Sequence, residues 1–142
     1  MKKFLLFFAS FALVISLAGC GGIPDVAGTY VGTATKVGAT ANQPFAGKTP
    51  GMEGDISPYQ VDITQNEGSI QCTHTFTDSS MVYKMSGTIN EDGAITTSGT
   101  TTNWTTWNTS ESGNITNGTY TSRITYVASH GTYIYDLALT KQ

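Results

Sequence analysis

Two side chains able to do nucleophilic or acid–base chemistry, Cys72 and His74, lie two positions apart in an alternating series that ends at Phe76. Residues i and i+2 of a strand lie on one face about 6.5–7 Å apart, which is beyond hydrogen-bond distance. This spacing disfavours a thiolate–imidazole pair. We therefore expect Cys72 to act as a small buried residue and His74 as a core histidine.

Tyrosine hydroxyls are the next candidate chemical groups. Tyr30, Tyr83, Tyr126 and Tyr135 each fall at alternating positions of a segment with period two, so as strands these segments would turn the hydroxyls toward one interior. Such tyrosines either fill a small barrel by packing or hydrogen-bond a small ligand inside it, and the sequence leaves both readings open. The candidate ligand-binding residues are Tyr30, His74, Tyr83, Trp107, Tyr126 and Tyr135.

The two tryptophans, Trp104 and Trp107, are separated by an odd number of positions, so they face opposite sides of a regular strand. Trp107 shares the parity of Ile95 and is predicted to point inward. Trp104 is predicted to point outward among Thr and Asn side chains. There it either stacks on a sugar or anchors a protein partner, or neighbouring side chains shield it. Trp104 is the candidate partner-binding residue.

The chain lacks the residue patterns that several function classes require. No nucleophile elbow, P-loop, dinucleotide fingerprint or metal-ligand spacing occurs in the chain. We therefore expect no catalytic residue, no metal and no cofactor. Seven basic residues against ten acidic ones, with no basic cluster, disfavour nucleic-acid binding.

The amino-terminal segment has the pattern of an export signal. Two lysines precede a charge-free apolar run of 14 residues, 4–17. That run suits a signal peptide and is too short for a transmembrane helix, which needs about 20 residues. The sequence Leu17-Ala18-Gly19-Cys20 closes it and resembles the lipobox of bacterial lipoproteins. The resemblance implies cleavage between Gly19 and Cys20, lipid attachment to the Cys20 thiol, and acylation of the new amino terminus by a palmitate-type chain.

This resemblance divides the chain and predicts its location. Residues 1–19 would form the signal peptide, 20–25 the lipidated cysteine with a short tether, and 26–142 the folded domain. The protein would be anchored by lipid in the cell envelope. Gly21, where related lipoproteins kept at the inner membrane can carry Asp, permits the outer membrane if the host has one. Otherwise the outer face of the cytoplasmic membrane is expected.

Period-two alternation dominates the remaining chain and indicates an all-β domain. The turn signals between the segments are short, which requires antiparallel neighbours. An eighth strand could lie within 38–58, a long Gly-, Ala- and Pro-rich stretch that could equally form a lid or a mobile excursion. The pattern predicts seven strands, at 26–37, 59–64, 70–77, 81–89, 94–107, 119–128 and 133–140, with turns that include 66–68, 90–93 and 110–114.

A meander of seven or eight strands with one apolar face tends to close, since closure removes the sheet edges. We therefore predict a small antiparallel up-and-down β-barrel, with a β-sandwich as the alternative. Residues 28–32 and 63–70 are similar to the first strand and a recurrent hairpin of lipocalin-like and avidin-like barrels. The chain lacks the lipocalin Gly-X-Trp signature, so the resemblance implies architecture and no particular ligand.

Two functions follow as expectations. The first is a non-catalytic, membrane-anchored lipoprotein whose barrel binds a small apolar or amphipathic ligand. The second is a protein- or glycan-interaction module of the envelope with a filled core, acting in adhesion, assembly or enzyme inhibition. An open interior would favour the ligand-binding barrel, and a filled interior would favour the interaction module.

Overall fold

The computed structural model describes residues 22–40, 55–103, 105–129 and 131–142, which form one closed antiparallel barrel. Each strand pairs with the next in sequence, and β8 returns to pair with β1. The predicted up-and-down barrel is confirmed. Its strands are β1 (Gly28–Ala39), β2 (Ile56–Asn66), β3 (Ser69–Phe76), β4 (Met81–Ile89), β5 (Ala94–Asn103), β6 (Thr105–Thr116), β7 (Thr119–Ala128) and β8 (Gly131–Lys141).

The barrel has two distinguishable ends. We call end A the end that holds the start of β1, the end of β8 and the turns β2–β3, β4–β5 and β6–β7. End B is the opposite end, where β3–β4, β5–β6 and β7–β8 connect. The β6–β7 turn is Asn117-Gly118, whose φ angles of 51° and 75° suit a two-residue hairpin turn that needs two positive φ values.

Alternation sorts the inward side chains into a mainly aliphatic layer near end A, which also holds Tyr30 and Tyr120, and an aromatic layer near end B. Because each strand turns every second side chain inward, the layers are built from all parts of the chain. The end A layer includes Ile63, Ile70, Ile89, Ile95, Ile115 and Leu139, and the end B layer includes Tyr59, Phe76, Tyr83, Trp107, Tyr126, Tyr133 and Tyr135.

Glycine occupies inward positions on β4 and β5 where neighbouring strands approach closely. A Cβ on Gly87 would lie 1.9 Å from the carbonyl oxygen of Thr96, and one on Gly99 would lie 2.2 Å from that of Lys84. Neither distance is compatible with a side chain. These glycines allow the strong strand bending that a narrow barrel requires.

The predicted strand over 94–107, followed by a turn at 110–114, is wrong. β5 ends at Asn103, and β6 runs from Thr105 to Thr116 in register with it. The eighth strand is therefore β6, and not a segment of 38–58. The prediction failed because the inward side of β6 carries Thr109, Glu111 and Gly113, which show no apolar alternation.

The long stretch 38–58 is shorter in the structure than the sequence predicted. β1 extends to Ala39 and β2 begins at Ile56. Residues 41–54, like residues 1–21 with the predicted signal peptide and Cys20, lie outside the described residues. Within the described ranges, no helix has the length and apolar character needed to cross a bilayer.

Candidate functional site

A buried carboxylate lies at the centre of the barrel. Glu111 occupies the inward side of β6 between Trp107 and Ile115, and its residue is 3% exposed. A carboxylate removed from water requires hydrogen-bond donors, since burial without them costs several kcal/mol. The arrangement of donors around Glu111 therefore defines the polar part of the interior.

Three hydroxyls from two neighbouring strands supply those donors. Tyr120 Oη and Ser122 Oγ on β7 donate to Glu111 Oε1 at 2.5 and 2.6 Å. Thr97 Oγ1 on β5 donates to Glu111 Oε2 at 2.7 Å. We call these four residues the hydroxyl–carboxylate cluster. All four are buried, so the cluster is satisfied internally.

His74 approaches this cluster from the far side of the barrel. Its Nε2 lies 3.5 Å from Glu111 Oε2, and its side chain is fully buried. Neither ring nitrogen has a hydrogen-bond partner among the described residues. Burial lowers the pKa of His74, and the nearby Glu111 carboxyl opposes that effect only in part. The imidazole is therefore neutral at neutral pH, and the contact is not an ion pair.

A group of buried aromatic rings lies between this cluster and end B. Phe76 on β3 and Tyr126 on β7 come from opposite sides of the barrel, yet their ring centroids are 6.0 Å apart. Tyr83 approaches Tyr126 with ring centroids 4.7 Å apart, and Tyr59 approaches Phe76 at the same separation. The hydroxyls of Tyr59 and Tyr126 are hydrogen-bonded at 2.5 Å. Side chains thus meet across the interior at this level.

The predicted ligand-binding residues are all inward and buried, but they do not form one group. Tyr30 lies near end A, where its hydroxyl donates to the carbonyl of Val26 at 2.9 Å. Trp107 packs near Tyr133 at the other end, with ring centroids 6.0 Å apart. Trp107 was correctly predicted to point inward, although it lies on β6 and not on the strand of Ile95. Trp104 lies outside the described residues.

Burial keeps the interior tyrosine hydroxyls and the Cys72 thiol in their protonated forms. Desolvation raises the pKa of Tyr59 and Tyr126 well above the usual tyrosine value. It also raises the pKa of the Cys72 thiol to about 12, with the Glu111 carboxyl adding to the effect. A thiol in this state is a poor nucleophile. Cys72 is 1% exposed, so the prediction of a small buried residue is confirmed.

Sequence reasoning missed the residues that organise this interior. Glu111 keeps strict alternation with Trp107 and Ile115, and that spacing was the available signal once β6 is recognised as a strand. Lys36 was also missed. It is 4% exposed at the end B side of β1, with its Nζ 3.5 Å from Asp55 Oδ2.

The outer surface of β5 and β6 is a second candidate site. Apart from Ala94 at the start of β5, every outward side chain along it is a hydroxyl or an amide, and the only ionisable residue on the two strands is the inward Glu111. Thr100 Oγ1 and Asn108 Oδ1 are 3.0 Å apart across the pair of strands. We call this surface the hydroxyl face; its exposed members are Thr96, Ser98, Thr100, Thr102, Thr106, Asn108, Ser110 and Ser112.

No protein-family model, curated protein or solved structure matches this chain. No group of three or more His, Cys, Asp or Glu side chains in the described part of the chain is arranged to hold a metal ion.

Proposed function

We propose that this chain is a lipid-anchored protein of the cell envelope whose packed, non-catalytic barrel presents the hydroxyl face to a neutral glycan. The observation that carries the proposal is the unusual surface of β5 and β6, which is exposed, hydroxyl-rich and free of charge. The anchor is supported by the Leu17-Ala18-Gly19-Cys20 sequence.

The packed interior favours an external binding surface. An eight-stranded barrel either fills its interior with side chains or encloses one small ligand. Here the rings of Phe76 and Tyr126 meet from opposite strands, and His74 and Glu111 meet just below them. A ligand at this level would have to displace side chains that already contact one another.

The chemistry of the hydroxyl face suits a glycan better than a protein. Protein interfaces depend on aromatic and Arg anchors, and the described members of the face include neither. Sugar hydroxyls are matched by Thr, Ser and Asn side chains, which both donate and accept hydrogen bonds. Trp104 lies outside the described residues, and stacking of its indole on a sugar stays a prediction from the sequence.

A non-catalytic role is supported by the state of the reactive groups. The raised pKa of Cys72 disfavours its thiolate, and the carboxylate of Glu111 is engaged by three hydroxyls. Both groups are buried, so a substrate in solution does not reach them without opening the barrel.

The anchor is tested by comparing the two cysteines. Cys20→Ser should release the protein from the membrane fraction, whereas Cys72→Ala, the matched control, should leave it there. Immunoblotting of membrane and soluble fractions measures the difference. A Cys20→Ser variant that still fractionates with membranes would contradict the anchor.

Glycan binding is tested by placing the same long side chain on two faces. Ser110→Lys would cover neighbouring hydroxyls of the hydroxyl face, while Gln71→Lys introduces the same charge on the exposed side of β3. In co-sedimentation with insoluble, neutral envelope polysaccharide, Ser110→Lys should lose binding and Gln71→Lys should retain it. Equal behaviour of the two variants would contradict the assignment of the face.

Ligand binding inside the barrel is the second candidate, because one observation favours it. His74 is fully buried with both ring nitrogens lacking hydrogen-bond partners in the described ranges, so a small polar group beside it would gain hydrogen bonds. Native mass spectrometry of the protein purified from cells distinguishes the candidates. A stoichiometric mass lost on denaturation supports an internal ligand, and a bare protein mass supports the glycan-binding surface.

A further inference from the structure

We infer that the barrel is oriented on the membrane, with end A facing the bilayer and end B pointing away from it. The inference rests on the lipid anchor at Cys20 in the proposed function. It goes beyond that function because it specifies which surface of the barrel lies against the lipid and which remains available to a partner.

A short segment before β1 lies across end A. We call residues 22–27 the strap. Val26 is 3% exposed and belongs to the barrel core. Its backbone N–H donates to Gln65 Oε1 at 2.8 Å, and Gln65 Nε2 donates to the carbonyl of Pro24 at 2.9 Å. The side chain of Gln65 on β2 thus binds the strap backbone at two residues, Pro24 and Val26.

Two further contacts extend the docking to both ends of the strap. The Tyr30 hydroxyl donates to the carbonyl of Val26 from inside the barrel. At the other side, Ile23 packs so closely on the β2–β3 turn that a Cβ on Gly68 would lie 3.1 Å from Ile23 Cδ1. The strap is therefore attached to end A from Ile23 onward.

Covalent geometry then limits how far end A can lie from the lipid. Three Cα–Cα steps separate Cys20 from Ile23, and at about 3.8 Å each they span at most about 11 Å in any conformation. Strands of this length, tilted as in small barrels, place end B roughly 25 Å farther from the anchor. End A is thus held at the lipid surface while end B is not.

The charges at end A indicate contact with the headgroup surface and not insertion into it. Glu67, Glu91 and Asp92 are exposed at the turns of this end, with Lys141 nearby. An acidic surface gains nothing from anionic lipid and does not enter the hydrocarbon region. The bilayer surface therefore lies beneath end A, and the hydroxyl face runs outward from it toward the β5–β6 connection.

Site-directed fluorescence on the lipidated full chain tests the orientation. Glu91→Cys places a fluorophore at end A, and Val127→Cys places the same fluorophore at an exposed position near end B. The wild-type chain, whose Cys72 is buried, provides the labelling background. In phosphatidylcholine vesicles with a nitroxide quencher on the headgroup, the Glu91→Cys probe should be quenched several-fold more than the Val127→Cys probe.

A longer tether provides the control. A 20-residue Gly/Ser insertion between Gly21 and Gly22 allows end-to-end distances of roughly 25 Å, so it should remove most of the difference in quenching. Equal or reversed quenching in protein that floats with the vesicles would overturn the orientation alone. Protein that does not float and lacks the lipid mass on Cys20 would overturn the proposed anchor.

Discussion

Two hairpins of this barrel have opposite designs. The β2–β3 hairpin turns apolar residues such as Val61 and Ile70 inward and exposes polar ones. The β5–β6 hairpin buries Thr97, Thr109 and Glu111, and its exposed side is just as polar. The comparison shows that a strand can have a buried polar face when its side chains satisfy one another, and that such a strand carries little hydrophobic signal.

The same comparison separates two ways of stabilising the core. Near end B, β3 contributes Phe76 to a cluster of rings, where stability arises from burial and close packing. On β6, Glu111 is stabilised by hydroxyls from both neighbouring strands. We therefore expect substitutions in the two hairpins to lower the free energy of unfolding for different reasons. In the β2–β3 hairpin packing is lost, and in the β5–β6 hairpin hydrogen bonds are lost.

Phe76→Ala should be the most destabilising of the changes considered. It removes a fully buried ring that contacts β2 and β7, and we expect a loss of about 4 kcal/mol in the free energy of unfolding. Chemical denaturation measures it. Val82→Ala, at an exposed position of β4, is the control and should change stability little. A small loss for Phe76→Ala would show that the aromatic layer is not tightly packed.

Glu111→Leu should cost about 3 kcal/mol, because it leaves buried hydroxyls without their acceptor. Glu91→Leu, in the exposed β4–β5 turn, is the control.

A rescue experiment tests whether the buried polar residues around Glu111 stabilise one another. Adding Thr97→Val, Tyr120→Phe and Ser122→Ala to Glu111→Leu removes the hydroxyls as well, so much of the lost stability should return. If the combined variant is less stable than Glu111→Leu alone, the cluster does not act as one satisfied unit.

The pKa of His74 predicts a dependence of stability on pH. Burial lowers this pKa below its ordinary value of 6.5, so the unfolded chain binds a proton that the folded chain does not. Stability should therefore be fully present above about pH 6.5 and fall as the pH drops below it, by up to about 1.4 kcal/mol per pH unit.

Substitution at the two histidines isolates this effect. His74→Gln should flatten the profile between pH 7 and pH 5, measured by urea denaturation at each pH, whereas His130→Gln should not. An unchanged slope in the His74→Gln variant would assign the acid sensitivity to other groups.

Gln65→Ala should have the smallest effect, about 1 kcal/mol, because it removes the side chain that holds the strap to β2 while leaving the barrel intact. Hydrogen exchange at the Val26 amide should accelerate. Gln71→Ala, on the exposed side of β3, is the control. Unchanged protection of Val26 would show that burial alone holds the strap.

The sequence predicted those strands in which apolar and polar side chains alternate. β2, β3 and β4 were recognised because their inward residues are apolar, and their tight turns imposed antiparallel pairing. β6 was missed because Ser110 to Asn114 has the composition of a turn, while its alternation depends on Thr109 and Glu111 being buried. That burial is decided by partners on β5 and β7, which local sequence does not reveal.

The candidate site was predictable only residue by residue. Tyr83 and Tyr126 were each expected to point inward, and both are fully buried. Their mutual contact, and the contact of Tyr126 with Phe76, depends on closure of the barrel. Sequence left a filled and an open interior as alternatives, because the diameter available to the rings depends on how closely the strands approach at Gly87 and Gly99.

The amino-acid sequence by itself determined an all-β chain of antiparallel strands, since period-two alternation and short turns act locally. It also carries the lipobox-like motif at Cys20, from which the anchor is predicted. Only the tertiary structure decided that Glu111 and His74 meet inside, that aromatic rings from opposite strands meet across the interior, and that the strap docks on end A. These features join residues far apart in sequence, and they form only when β8 pairs with β1 and encloses the interior.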